Sequence, residues 1–132
     1  MSKRLFHLAL PMPLSLALES GAAGWSPSGF EREGFVHLSF AEQLRGTLNA
    51  HFAGAAEVYL LELDPAELAP HLCLEPSRGG ALFPHHYAPL PWAAVRRHWL
   101  LRRRPAGFEV PCLDVDPALD IPTGDPGPPS AA

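Results

Sequence analysis

The chain has 132 residues, 47% of them hydrophobic and 18% charged, with a formal net charge of -4 at neutral pH. That length suits one domain able to bury roughly two-thirds of the surface its unfolded form exposes. The mild acidity gives no electrostatic reason to expect nucleic acid or an anionic membrane as a partner.

Residues 4–10 read as a short apolar strand that carries His7 and is stopped by Pro11. Pro11 and Pro13 also cut the N-terminal apolar run to a length too short for a signal or a membrane span. After that proline turn, Leu14, Leu16, Ala17 and Leu18 suit a short helix ended by Gly21. Residues 21–29 are rich in Gly and Ser and form a loop, with Trp25 as the large apolar anchor.

Glu33-Gly34-Phe35-Val36-His37-Leu38-Ser39 reads as a buried strand. Alternation puts Val36 and Leu38 on one face and Phe35, His37 and Ser39 on the other. Polar side chains set in an apolar strand must be satisfied by protein, water or a ligand. Ser39 is also placed to cap the next helix, with Glu42 completing a Ser-x-x-Glu capping box. Leu44, Leu48 and Phe52 then form a core-facing stripe on a helix reaching about His51.

Residues 57–63 are the clearest central strand, β-prone and nearly continuous in apolar character. Asp64 can cap a single helical turn that begins at Pro65. Residues 72–75 form another strand ending in Glu75. Pro84, Pro89 and Pro91 argue against a regular ladder over residues 82–91 and for an ordered, extended loop or edge. Residues 92–101 give a last strand, whose Arg96, Arg97, Arg102, Arg103 and Arg104 suit a solvated face. The compact domain therefore spans residues 1–104. Residues 105–132 are a Pro-rich extension whose last dozen residues are loose. Helical and strand segments do not alternate in a repeating βα pattern, so the fold class is α+β with about six short strands and two or three short helices.

Seven histidines invite a metal reading. None of them form an i, i+4 pair with an intervening Glu, and His85 and His86, being adjacent, point opposite ways in a strand, so no metal ligand set is assigned. Cys73 and Cys112 indicate neither a zinc site nor a disulfide framework, and a reduced, cytoplasmic protein is expected. The Gly-x-Ser-x-Gly elbow and the nucleotide-binding glycine motifs are absent. What remains is a set of polar residues on strands: His7, His37, Ser39, Glu75 and the stretch from Pro84 to Tyr87.

The order Phe6-His7-Leu8, Glu33 to Ser39, Leu60-Leu61-Glu62-Leu63-Asp64-Pro65, Glu75 and Phe83-Pro84-His85-His86-Tyr87 resembles an uncharacterised bacterial family, domain of unknown function 952. The resemblance covers residues 4 to 101. Ala88 stands where that family usually has Gly, and Ala9 where it has Thr. The family looks like a compact relative of the ADP-ribosyltransferase fold, which implies a split sheet around a cleft that binds NAD. By that resemblance Glu75, His37 and His7 are the catalytic set, and Ser39, Phe83, His85 and Tyr87 bind the ligand. NAD is then the substrate, a small-molecule nucleotide partner. Two other readings stay open: a non-catalytic module for a nucleotide or small ligand, and a metal-assisted hydrolase.

Overall fold

The computed structural model describes residues 4–111. In chain order the strands and helices are β1 (Leu5–Ala9), α1 (Pro11–Glu19), β2 (Gly24–Trp25), α2 (Phe30–Glu33), β3 (Val36–His37), β4 (Ser39–Phe40) and α3 (Leu44–His51). They continue with β5 (Glu57–Leu63), α4 (Pro65–Leu68), β6 (Leu72–Pro76), β7 (Leu82–His86), β8 (Leu90–Pro91), β9 (Val95–Arg104) and β10 (Gly107–Phe108). The result is a small mixed domain of antiparallel sheets with few helices, in agreement with the α+β reading. Among the described residues no helix is long and apolar enough to cross a membrane.

The larger sheet has the order β10-β9-β5-β1-β4 and is antiparallel throughout. Its centre is the strand expected from residues 57–63. Because side chains alternate, that strand serves two cores at once. Tyr59, Leu61 and Leu63 join Leu5, Ala9, Leu14 and Trp25 on one side, while Val58 and Leu60 join Phe6, Leu8, Leu44 and Leu48 on the other. Each fully buried Leu here contributes roughly 1.5–3 kcal/mol relative to exposure. Glu62 interrupts the pattern. It is 4% exposed, and Arg4 (3.0 Å) and Arg97 (2.7 Å) neutralise it. Thus one arginine of the expected solvated face serves a buried carboxylate.

A three-stranded sheet, β3-β7-β6, and a two-stranded ribbon, β2-β8, complete the fold. The stretch from Glu33 to Ser39 is where the sheets meet, and it is not one strand. Val36 and His37 pair with His86 and His85, whereas Ser39 and Phe40 pair with Phe6 and Leu5. The chain changes sheets at Leu38, whose N–H donates to the Pro84 carbonyl (3.0 Å).

Several local expectations are corrected. Helix α1 begins at Pro11, because prolines in a first turn lose no intrahelical hydrogen bond. Ser39 does not cap the following helix: it is strand, its Oγ meets Thr47 Oγ1 at 3.1 Å, and the Gln43 carboxamide accepts the Phe40 N–H instead. Residues 82–86 form a regular central strand despite Pro84. Leu38, just past the two-residue neighbour β3, donates its N–H to that proline's carbonyl, and the ladder to β6 runs past it. Trp92–Ala94 is a single 3-10 turn before the last long strand. Gly107 and Phe108 pair with that strand, so the packed unit continues beyond residue 104. Asp64 caps its helical turn as expected, its Oδ1 accepting the Ala66 N–H at 3.0 Å. Cys112 and the rest of the Pro-rich extension, residues 112–132, lie outside the described residues.

Candidate functional site

His7 stands in the middle of β1, 4% exposed, beside the point where the chain changes sheets. The indole N–H of Trp25 can only donate, and it reaches His7 Nε2 at 2.8 Å. The other nitrogen, Nδ1, therefore carries the proton and donates it to the His37 carbonyl at 2.8 Å. Burial pushes the ring's pKa down to about 4, although the bond to His37 opposes that shift. His7 is a neutral, doubly satisfied imidazole. The catalytic role that the resemblance implies for His7 meets a ring with both nitrogens already in use.

Beyond His7 lies a cleft of about 210 Å³, with His37, Ser39, Phe83, Thr47 and His51 among its walls. Three of the residues singled out in the sequence thus share one hollow with His7. The His37 ring is half exposed, and its Nε2 lies 3.0 Å from the carboxylate of Glu33, four residues earlier. Helix α2 places that carboxylate, and Gly34 ends the helix in the left-handed region at φ 84°. With Nε2–H donating to Glu33, His37 Nδ1 is left as the basic nitrogen.

The second half of the site is on the face that β6 and β7 share. Cys73 lies opposite His85 and Glu75 opposite Phe83, so these four side chains are on one side of the sheet, with His37 across from His85 on the next strand. Glu75 Oε1 accepts two hydrogen bonds, from the Tyr87 hydroxyl at 2.6 Å and from His85 Nδ1 at 2.7 Å. These bonds, that of Tyr87 first, hold the Glu75 carboxyl below its ordinary range, and in return the Tyr87 hydroxyl is pushed up to about 12. Glu75 is an anion at neutral pH with about a third of its side chain open to solvent.

Phe35 ties the halves together. Its ring stacks on His85 at 4.1 Å with 18° between planes and lies 4.8 Å from His37 and 5.2 Å from Tyr87. The His37 and His85 rings meet edge to face at 5.3 Å. His85 Nε2 is buried and has no hydrogen-bond partner among the described residues. A buried nitrogen in that condition calls for an explanation such as a ligand or an ordered water.

The structure therefore gathers Glu75, His85, Tyr87 and His37 into one cluster, and Ser39 and Phe83 into the adjoining cleft. His7 supports this array from behind. Sequence reasoning did not assign site roles to Glu33, Phe35 and Thr47. Glu33 carried a signal, its i, i+4 spacing to His37; Phe35 and Thr47 carried none beyond their neighbourhood. Among the described residues no three His, Cys, Asp or Glu side chains are grouped to hold a metal ion.

A model of a protein family of unknown function, DUF952, matches residues 15–98, which include His37, Ser39, Glu75, Phe83, His85 and Tyr87. The chain belongs to the DUF952 family. The crystal structure of protein CC0527 from Caulobacter crescentus is similar to it with a TM-score of 0.70 and 32% identity, over 80% of this chain and 91% of that one. The solution NMR structure of CC0527 gives a TM-score of 0.66 at 32% identity, over 80% and 90% of the two chains. No curated protein matches the chain.

Proposed function

We propose that this DUF952 protein binds NAD at the cleft and cleaves its nicotinamide N-glycosidic bond, passing ADP-ribose to water or to an acceptor. The observation that carries this reading is the Glu75 carboxylate, kept ionised by Tyr87 and His85 and partly open to solvent. Leaving of nicotinamide takes the bonding electron pair with it and builds positive charge on the ribose. A fixed carboxylate opposes that charge most strongly when it is greatest, as carboxylates do in glycoside hydrolysis. In this reading His37 Nδ1 receives the proton that the attacking water or acceptor hydroxyl gives up.

Size supports a divided arrangement. A cleft of about 210 Å³ is below the roughly 300–1,000 Å³ of sites that enclose drug-sized ligands. In this reading the cleft takes the nicotinamide ring, while the ribose lies outside it towards Glu75, which is not among the cleft's walls. The likeness of the family to ADP-ribosyltransferases, a split sheet with polar residues on three strands, is part of the same proposal.

The test is release of nicotinamide from NAD by the full chain, followed chromatographically. Glu75→Gln is expected to lower the rate roughly 10²–10³-fold, the scale of removing one preorganised charge-stabilising group, while circular dichroism stays unchanged. Absence of turnover in the wild-type protein would sink the enzymatic reading. The second reading, a non-catalytic nucleotide-binding module, is favoured by one observation: His7, a member of the catalytic set that the resemblance implies, already spends both ring nitrogens inside the protein. It predicts saturable NAD binding by calorimetry with no nicotinamide released.

A further inference from the structure

Strand β7 has two sides, and the proposed NAD cleft uses one of them. His85 and His86 are adjacent, so their side chains leave the strand in opposite directions. On the His86 side lies a separate groove of about 520 Å³, walled by His86, His71, Glu67, Ser26, Pro89 and Pro91. Residues in and beside the ribbon β2-β8, of α4 and the turn after it, and at the end of β7 build it.

His86 is 2% exposed, and its Nδ1–H donates to the Ala88 carbonyl at 2.7 Å. That bond fixes the tautomer and leaves Nε2 as a lone-pair acceptor, with no hydrogen-bond partner among the described residues. The His71 ring stands edge-on to it at 5.8 Å and 87°. Glu67 is exposed, and its carboxylate makes no hydrogen bond or ion pair among the described residues. Among the described residues no Lys or Arg lines the groove. Pro89 and Pro91 have no N–H to offer, so the polar part of the wall is the His86 Nε2 acceptor, the Glu67 carboxylate, and the Ser26 and His71 groups, which can each donate or accept. The wall is also firmly set: a Cβ on Gly24 would come within 2.7 Å of the Leu90 carbonyl oxygen, so the ribbon strands are locked in close approach.

We infer that this groove is a second ligand site, and that it takes a positively charged N–H donor on an alkyl stem. One donor would reach His86 Nε2, the charge would meet Glu67, and the stem would lie on the proline rings. A guanidinium fits the acceptor set best, because its planar donors can serve both groups at once. Such a group arrives either as a small free molecule or as an arginine side chain of a peptide. This inference is independent of NAD chemistry in the opposite cleft.

The experiment titrates the isotope-labelled full chain with agmatine, with a tripeptide carrying a central arginine, and with acetate as an anionic control, following backbone and imidazole NMR signals. Saturable shifts at Ser26, Glu67, His71 and the His86 ring with either cation are expected, and none with acetate. Response to both cations marks a free-molecule site, and response to the tripeptide alone marks a peptide site. Glu67→Gln, an exposed change that should leave the fold intact, is expected to weaken binding at least about tenfold. His86→Phe should abolish it, with thermal unfolding as the check that the variant folds. Failure of both cations to saturate, equal affinity in Glu67→Gln, or shifts that gather at His37 and Glu75 would each overturn the site.

Discussion

Two buried strand histidines, His7 and His85, are close in exposure, 4% and 5%, yet differ in what surrounds them. His7 sits at the seam between sheets, where Trp25 and the His37 carbonyl consume both ring nitrogens. His85 sits on the three-stranded sheet, bonded through one nitrogen to a carboxylate, with the other buried and unpartnered among the described residues. Burial alone therefore does not tell a saturated imidazole from one with a nitrogen still open to a ligand. The count of filled nitrogens does, because a saturated ring has nothing left to offer a ligand.

The largest expected effect that would sharpen this contrast comes from His7→Phe. It leaves the Trp25 N–H and the His37 carbonyl without partners, each costing about 1–3 kcal/mol, so denaturant unfolding should show a loss of roughly 4 kcal/mol. A loss within error of zero would mean that the seam does not depend on this ring.

Next is the response to acid. His7 has an ordinary pKa of 6.5 and about 4 in the folded protein, so between those values the unfolded chain takes up a proton that the native one refuses. Stability is complete above about pH 6.5 and falls as the pH drops towards 4, by about 3 kcal/mol from this residue. Burial of His86 depresses its pKa too and acts in the same direction. His7→Gln offers one donor and one acceptor but does not titrate, and urea unfolding across this range should show a flatter slope.

His85→Phe should be far milder, changing stability by about 1 kcal/mol or less, since it removes an unpaired buried nitrogen along with one hydrogen bond. If it costs as much as His7→Phe, the distinction between the two rings fails. Smallest in stability is Tyr87→Phe. It should leave the unfolding midpoint unmoved while the Glu75 carboxyl titrates at a higher pH, as read by carbon NMR of the side chain, because the hydroxyl is the first cause of its depressed pKa.

Much of the frame was legible from local pattern. The run from Val58 to Leu63 announced a central strand, and Asp64-Pro65 announced a capped turn, because both signals are carried by neighbouring residues. Glu75, His85 and Tyr87 were legible as candidates, but their convergence on one carboxylate oxygen depends on the β6-β7 register, which no single residue reveals. The saturation of His7 by Trp25 was hidden for the same reason: the partners are eighteen residues apart and belong to different sheets. Pro84 misled, since the rule against proline in a ladder concerns a donor that this position is not asked to supply.

That proline has a further consequence. In a strand flanked on both sides, successive residues turn their N–H and C=O groups to alternate neighbours. Pro84 turns towards β3, where Leu38 requires only an acceptor. Sliding the strand by one position would swing the ring towards the five-residue ladder of β6 and leave a gap where a donor is needed, and it would also exchange His85 and His86 between the two hollows. Pro84 thus acts as a detent, holding each imidazole on its own side of the sheet.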